Sequence, residues 1–193
     1  ASGNTLEYLF AWWLLARVFR INPALEDTRD YYSLVIAGAA AAIISATCGA
    51  STLWLTGRIA DQQFFSAWLS WWQGNELGVI LFAPLLLVWR QKLDVPLTRR
   101  TLLHGGLCLV LAFFCGQIIF LNWFDSAFSY IAKPFWMFIF VMWAAIRLGR
   151  HGVLLVLAMV AVQGIAGIMN HNVIFAGDEN GMSLINYWLY MVI

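Results

Sequence analysis

The chain has 193 residues, of which 62% are hydrophobic and only 11% are charged, and its mean hydropathy is +0.77. Ordinary globular domains carry about 25% charged residues, so this composition predicts an all-α integral membrane protein, a polytopic helix bundle. The apolar runs are too long and too even for the roughly ten-residue alternating strands of a transmembrane barrel. A net charge of +1 gives no support to nucleic-acid binding, and we expect the lipid bilayer to be the main partner.

Seven apolar segments follow one another along the chain. Since a helix needs about 20 apolar residues to cross a bilayer, we expect about seven transmembrane segments in a single domain, the last of them truncated. Their approximate ranges are 4–19, 31–55, 64–91, 101–124, 127–146, 152–175 and a start near 182. The chain begins without a basic leader and stops inside an apolar run, so we expect residues 1–193 to be a fragment of a longer protein.

Small residues predict where helices approach each other closely. In the second segment they recur at four-residue spacing, at Gly38, Ala42, Ala46 and Ala50. In the third segment, Gly74 and Gly78 lie on either side of an acidic residue, and we expect them to admit another helix or a ligand to the backbone.

That acidic residue, Glu76, lies near the middle of the third apolar run. An ionisable residue at this depth costs about 2.5–3.5 kcal/mol on insertion scales, so it normally faces other helices or a wet cavity. Trp68 and Trp72 share a helix face with Glu76, while Trp71 and Asn75 share the adjacent face. Glu76 is therefore either a hydrogen-bonded carboxyl that ties helices together or a site for a ligand or a proton.

Lysine and arginine are concentrated in alternate connections between the segments. Nine of the eleven basic residues lie there: Arg17, Arg20, Arg29, Arg90, Lys92, Arg99, Arg100, Arg147 and Arg150. Because cytoplasmic loops hold the excess of positive charge, Ala1 is predicted on the non-cytoplasmic side, and the chain is expected to continue into the cytoplasm after Ile193.

Further polar side chains fall toward the predicted non-cytoplasmic leaflet or near the middle of the bilayer. They are Asn4, Glu7, Gln117, Lys133 and Gln163. If their faces converge, they line a bowl with Glu76 at its floor, and Pro134 loosens the helix beside Lys133. The alternative is that Glu7 and Lys133 pair with each other and Lys133 snorkels outward.

Chemistry-bearing motifs are absent from the sequence. His171, Asp178 and Glu179 lack recognisable metal-ligand spacing, and neither GxSxG nor HExxH occurs. We therefore predict no catalytic residue, no metal and no cofactor for this segment.

Three stretches of the chain resemble one family. WLSWWQGNELGVILFAPLLLVW, GNTLEYLFAWWLLARVF and KPFWMFIFVMWAAIRLGRHGVLLVLAMVAV are similar, in content and order, to segments of the first-described MASE family of membrane-associated sensor domains. The likeness covers roughly residues 3 to 165. One departure is that Asn75 follows Gly74 and the acid comes one position later, at Glu76, whereas the family often places the acid directly after the glycine.

The resemblance implies a transmembrane sensor domain over residues 1–193, with spans before Ala1 and a histidine kinase or diguanylate cyclase output domain after Ile193. It also implies a bacterial cytoplasmic (inner) membrane location. From the residues around Glu76 we expect a small-molecule or lipid-like ligand, and we expect a homodimer formed through the intact protein. Two other functions stay open on the residues alone: a small-molecule transporter or its substrate-binding subunit, and a structural anchor that assembles dimers.

Overall fold

The computed structural model describes residues 2–123, 133–170 and 182–192, and in these ranges the chain is helical with no strand. The described ranges contain six α-helices, numbered here in chain order. They are α1 (Ser2–Trp13), α2 (Thr28–Leu55), α3 (Phe64–Val88), α4 (Arg99–Leu121), α5 (Met137–Met169) and α6 (Met182–Val192). A π-helical turn, Leu14–Phe19, extends α1, and short 3₁₀ turns precede α3 and α5 at Asp61–Gln63 and Pro134–Trp136.

The expected count of about seven transmembrane segments is not supported. In the described ranges, four helical stretches are long and apolar enough to cross a membrane: Thr28–Leu55, Asp61–Val88, Arg99–Leu121 and Pro134–Met169. The first and last predicted segments fall short because α1 has 12 residues before its π turn and α6 has 11. The predicted fifth and sixth segments both fall within α5, where two helical stretches meet at a kink at Gly149, whose φ and ψ are not helical. Residues 127–132 and 171–175 of those two predictions lie outside the described residues.

The chain divides into two compact units. The first comprises Ala1–Leu87 and Trp188–Ile193, and the second comprises Val88–Tyr187. In the first unit, α1 packs closely along α2. The small-residue stripe of α2 is buried at all four positions, Gly38, Ala42, Ala46 and Ala50.

The second unit is built on α4 packed along α5. The two helices approach closely at Gly167. A Cβ at that position would lie only 2.5 Å from the carbonyl oxygen of Phe120, so only glycine fits there. Gln163 Nε2 of α5 also donates a 2.8 Å hydrogen bond to the carbonyl of Phe113 on α4. Tyr187 completes this unit, with its hydroxyl donating to the carbonyl of Ala161 at 2.8 Å.

The start of α5 corrects one expectation. Lys133 has an extended backbone and immediately precedes the helix, and Pro134 occupies the first turn. Proline is tolerated at that position because the first N–H groups of a helix have no intrahelical partner. Pro134 therefore begins a helix here and does not loosen the interior of one.

Candidate ligand site

Three helices of the first unit meet at a buried polar contact. Asn75 of α3 donates from Nδ2 to Glu7 Oε2 of α1 at 3.3 Å and to Ser45 Oγ of α2 at 2.5 Å. Ser45 in turn donates to the carbonyl of Ala42 at 3.3 Å. Glu7 is 6% exposed and Ser45 is 1% exposed, so the contact is shielded from solvent. One amide side chain thus connects α1, α2 and α3.

Glu76 lies beside this contact and is 2% exposed. Its Oε2 atom has no hydrogen-bond partner among the residues that the structure describes. Gln73, which is 3% exposed, lies three residues earlier and shares the same helix face. Since buried polar atoms are nearly always hydrogen-bonded, Oε2 of Glu76 has capacity to bind a donor or a cation that the described residues do not supply.

The tryptophans of α3 connect it to α2. The indole nitrogen of Trp68 donates to Thr47 Oγ1 at 3.0 Å, and that of Trp72 donates to the carbonyl of Ala39 at 2.9 Å. The ring of Trp71 lies against Gly49, where an added Cβ would be 2.7 Å from the ring. These side chains therefore connect α3 to α2.

An aromatic column runs along α3 and ends on the last helix. Ring centroids are 6.2 Å apart for Phe65 and Trp68, 6.4 Å for Trp68 and Trp72, and 5.5 Å for Trp72 and Trp188. Trp68 and Trp72 are stacked with an interplanar angle of 2°. The column joins the helix that carries Glu76 to α6.

The ten residues predicted to bind a ligand are divided between the two units. Asn4, Glu7, Trp68, Trp71, Trp72, Asn75 and Glu76 belong to the first unit, and Gln117, Lys133 and Gln163 belong to the second. Within the first unit, Glu7 and Asn75 are in contact, while Asn4 is exposed. In the second unit, Gln117 and Gln163 are buried and Lys133 is exposed. The bowl and the pairing of Glu7 with Lys133 stay predictions.

Two residues of the site are not among the predicted ones. Gln73 could have been predicted from the sequence, because an amide three residues before a mid-membrane acid lies on the same helix face. Ser45 carried a weaker signal, since it adjoins Ala46 of the buried stripe but a single hydroxyl in an alanine-rich helix does not specify its partner. His171, Asp178 and Glu179 lie outside the described residues.

Comparison with known proteins identifies the family. The MASE1 family model matches residues 1–193, the full length of the chain. Searches of curated proteins and of solved structures find no match. With a buried polar contact between its helices, four candidate membrane-spanning helices and a family match over its whole length, the chain belongs to the MASE1 family of membrane-associated sensor domains.

Proposed function

We propose that this domain receives a stimulus at the polar contact around Glu76 and passes it to a cytoplasmic histidine kinase or diguanylate cyclase. The observation that carries the proposal is the buried Oε2 atom of Glu76, which has no hydrogen-bond partner in the described ranges. Membership of a sensor-domain family supports a receptor role for such an atom. An ionisable residue inside the membrane is a candidate for function, because burying it there costs free energy.

The polar contact provides a way for binding to alter helix packing. Asn75 holds Glu7 and Ser45 together, and its neighbour Glu76 is the group that a ligand would engage. A ligand shifts the equilibrium between two packings only by its difference in affinity for them, and a coupling of about 1–3 kcal/mol is enough for a switch. A small displacement of α3 would reach α6 through the contact between Trp72 and Trp188.

The proposed setting is a bacterial cytoplasmic membrane, with the arginine-rich connections in the cytoplasm. The connection between α3 and α4 contains Arg90 and Lys92, and the kink of α5 is flanked by Arg147 and Arg150. The excess of positive charge at these places supports a cytoplasmic location for both. In this orientation the two helical stretches of α5 on either side of Gly149 run in opposite directions, so α6 leads toward the cytoplasm, and the output domains of two copies would pair there.

Substitution of the carboxyl tests the proposal directly. In the full-length protein, Glu76→Gln should change kinase or cyclase output several-fold while membrane insertion and expression stay normal, because the amide keeps the shape and removes the charge. Glu26→Gln is the matched control, since Glu26 is exposed in the connection between α1 and α2. Unchanged output in Glu76→Gln, with normal amounts in the membrane, would contradict the proposal. Uptake of a solute by vesicles that contain the protein, with no effect of that solute on output, would favour the transporter.

A further inference from the structure

A cavity separate from the polar contact opens at the connection between α2 and α3. It has a volume of about 330 Å³, and the described residues that line it are Trp54, Asp61 and Phe64. Two aromatic rings and a carboxylate are the side chains that proteins use to hold ammonium groups. We propose that this cavity binds an organic ammonium group, and we call it the ammonium site. The proposal does not depend on the role of Glu76.

The carboxylate of the ammonium site is held in place by one of the rings. Trp54 donates from Nε1 to Asp61 Oδ1 at 2.7 Å. An indole N–H lies in the plane of the ring, so this hydrogen bond places the carboxylate at the ring edge and leaves the ring faces available. Asp61 Oδ2 does not take part in that bond.

The two rings form a corner. The centroids of Trp54 and Phe64 are 6.2 Å apart and their planes meet at 77°. A cation in such a corner can lie within about 6 Å of both ring centroids, where the negative faces of the rings attract it. Trp54 is 45% exposed, so a ligand can reach the corner from solvent or from the lipid interface.

Asp61 forms no ion pair with any residue that the structure describes, since no basic group in those ranges lies within ion-pair distance of its carboxylate. Arg58 is three residues away and exposed, and its backbone N–H is bonded to the carbonyl of Leu53 at 2.9 Å. The ammonium site therefore carries one negative charge beside two aromatic rings, which favours a cation over a neutral or anionic ligand of the same shape.

The backbone around the cavity is fixed by local bonds. Gly57 has φ +68°, a left-handed conformation that glycine adopts without strain, and it turns the chain at the end of α2. Gln63 then caps the 3₁₀ turn, since its Oε1 accepts from the N–H of Ala60 at 3.1 Å. These bonds hold Asp61 and Phe64 in position relative to Trp54, so that binding requires little ordering of the connection.

The ligand has one chemistry and two possible sources. A quaternary or primary ammonium group occurs on soluble amines and on the ethanolamine or choline headgroups of phospholipids. Both would present a cation to the ring faces and to Asp61. The carboxylate would reject phosphatidylglycerol headgroups, because they carry no cation.

The test measures binding of tetramethylammonium to the full-length protein in nanodiscs of phosphatidylglycerol, by titration calorimetry. Neopentyl alcohol serves as a neutral probe of similar bulk. We expect saturable binding of tetramethylammonium and none of the alcohol. Trp54→Leu should weaken binding about five-fold by removing a ring face, and Asp61→Asn should weaken it at least as much, with the shape retained. Trp12→Leu, at a tryptophan that is 63% exposed on α1, should have no effect.

Absence of tetramethylammonium binding would overturn the proposal, as would equal binding by the Asp61→Asn, Trp54→Leu and Trp12→Leu variants. Trp54→Phe controls for misfolding of Trp54→Leu. Because phenylalanine retains a ring, the Trp54→Phe variant should bind tetramethylammonium more tightly than Trp54→Leu. Repeating the titration in phosphatidylethanolamine nanodiscs separates the two sources. A weaker apparent affinity there supports the proposal with a lipid headgroup as ligand, and an unchanged affinity supports it with a soluble amine.

Discussion

At the residue scale, glycines on neighbouring helices of the first unit have different packing roles. A Cβ added at Gly38 would lie 2.6 Å from Val79 Cγ1 and 3.0 Å from Val79 Cβ, whereas a Cβ at Gly74 or Gly78 would meet no described atom within 4 Å. Gly38 is therefore required for close packing of α2 and α3. Gly74 and Gly78, although they flank Glu76, are not used in that way by the described residues.

Alanine substitutions separate these roles. Gly38→Ala should lower the free energy of unfolding by about 1–3 kcal/mol, because β-branched Val79 cannot turn its methyl groups away without a shift of the helices. Gly74→Ala should be neutral or raise it by up to about 1 kcal/mol, since alanine favours helix and meets nothing there. Thermal unfolding of the purified protein in detergent measures both. Equal melting temperatures for the two variants would refute this packing assignment.

Four-residue spacing and a mid-membrane acid are local signals, and they predicted the small-residue stripe of α2, which is buried. The role predicted for Glu76 stays a prediction. The sequence did not predict that Asn75 donates to Glu7 and Ser45, which are 68 and 30 positions away in sequence. Spacing along one helix specifies a face but not the helix that covers it. For the same reason, spacing alone leaves open whether Gly74 and Gly78 admit a helix or a ligand, and it does not predict Gln73 as part of the site.

At the scale of elements, the kink of α5 is held by the connection between α3 and α4. Gly149 has φ +67° and ψ −164°, a conformation that is essentially restricted to glycine. Arg150 follows Gly149 and donates three hydrogen bonds to the carboxylate of Asp94: from its backbone N–H at 3.1 Å, from Nε at 2.9 Å and from an Nη atom at 2.5 Å. The ring of Trp89, from the same connection, meets buried His151 edge-on at 5.9 Å. A single acid in a basic connection thus fixes the point where the helix breaks.

The Asp94 contact makes stability depend on pH. Hydrogen bonds from the Arg150 side chain lower the pKa of Asp94 to about 2, against an ordinary value of about 3.9. The folded state therefore binds this proton less readily than the unfolded state does, and the stabilisation is complete above about pH 4 and is lost as pH falls toward 2. Asp94→Asn should cost about 1 kcal/mol at neutral pH and remove that part of the acid sensitivity.

Thermal unfolding between pH 2 and 6 measures this difference. The wild-type curve should fall more steeply with acid than the Asp94→Asn curve, and the two should approach each other near pH 2. Asp27→Asn is the control, because Asp27 is exposed in the connection between α1 and α2. Parallel pH profiles for the wild type and Asp94→Asn would be incompatible with the assigned contact.

At the scale of the whole molecule, the sequence indicated the class of structure better than the number of spans. Apolar composition is a sum over many residues, and it correctly predicted that the described residues form helices, four stretches of which are long and apolar enough to cross a membrane. The number of spans depends on the length of each helix, and the first and last predicted segments form helices of only 12 and 11 residues. The predicted gap between residues 146 and 152 does coincide with a break, the kink at Gly149. Helix is formed on both sides of Gly149. Asp94, from the connection between α3 and α4, supports the break by accepting hydrogen bonds from Arg150.

The charge distribution yields a prediction about orientation. Alkaline phosphatase inserted after Gly57, in the connection between α2 and α3, should be active, because that connection is predicted outside the cytoplasm. Inserted after Lys92, between α3 and α4, it should be inactive, and a green fluorescent protein at the same position should be fluorescent. The opposite pattern would reverse the orientation and with it the direction in which α6 leads.

The central claim is that ligand binding at Glu76 changes the activity of the output domain through α3 and Trp188. A double-mutant cycle in the full-length protein, with kinase or cyclase output as the readout, tests it most directly. The effects of Glu76→Gln and Trp188→Leu should not add, with an interaction of about 0.5–3 kcal/mol, whereas Glu76→Gln and the control Trp12→Leu should add within about 0.5 kcal/mol. Additive effects for the pair of Glu76 and Trp188 would contradict the claim.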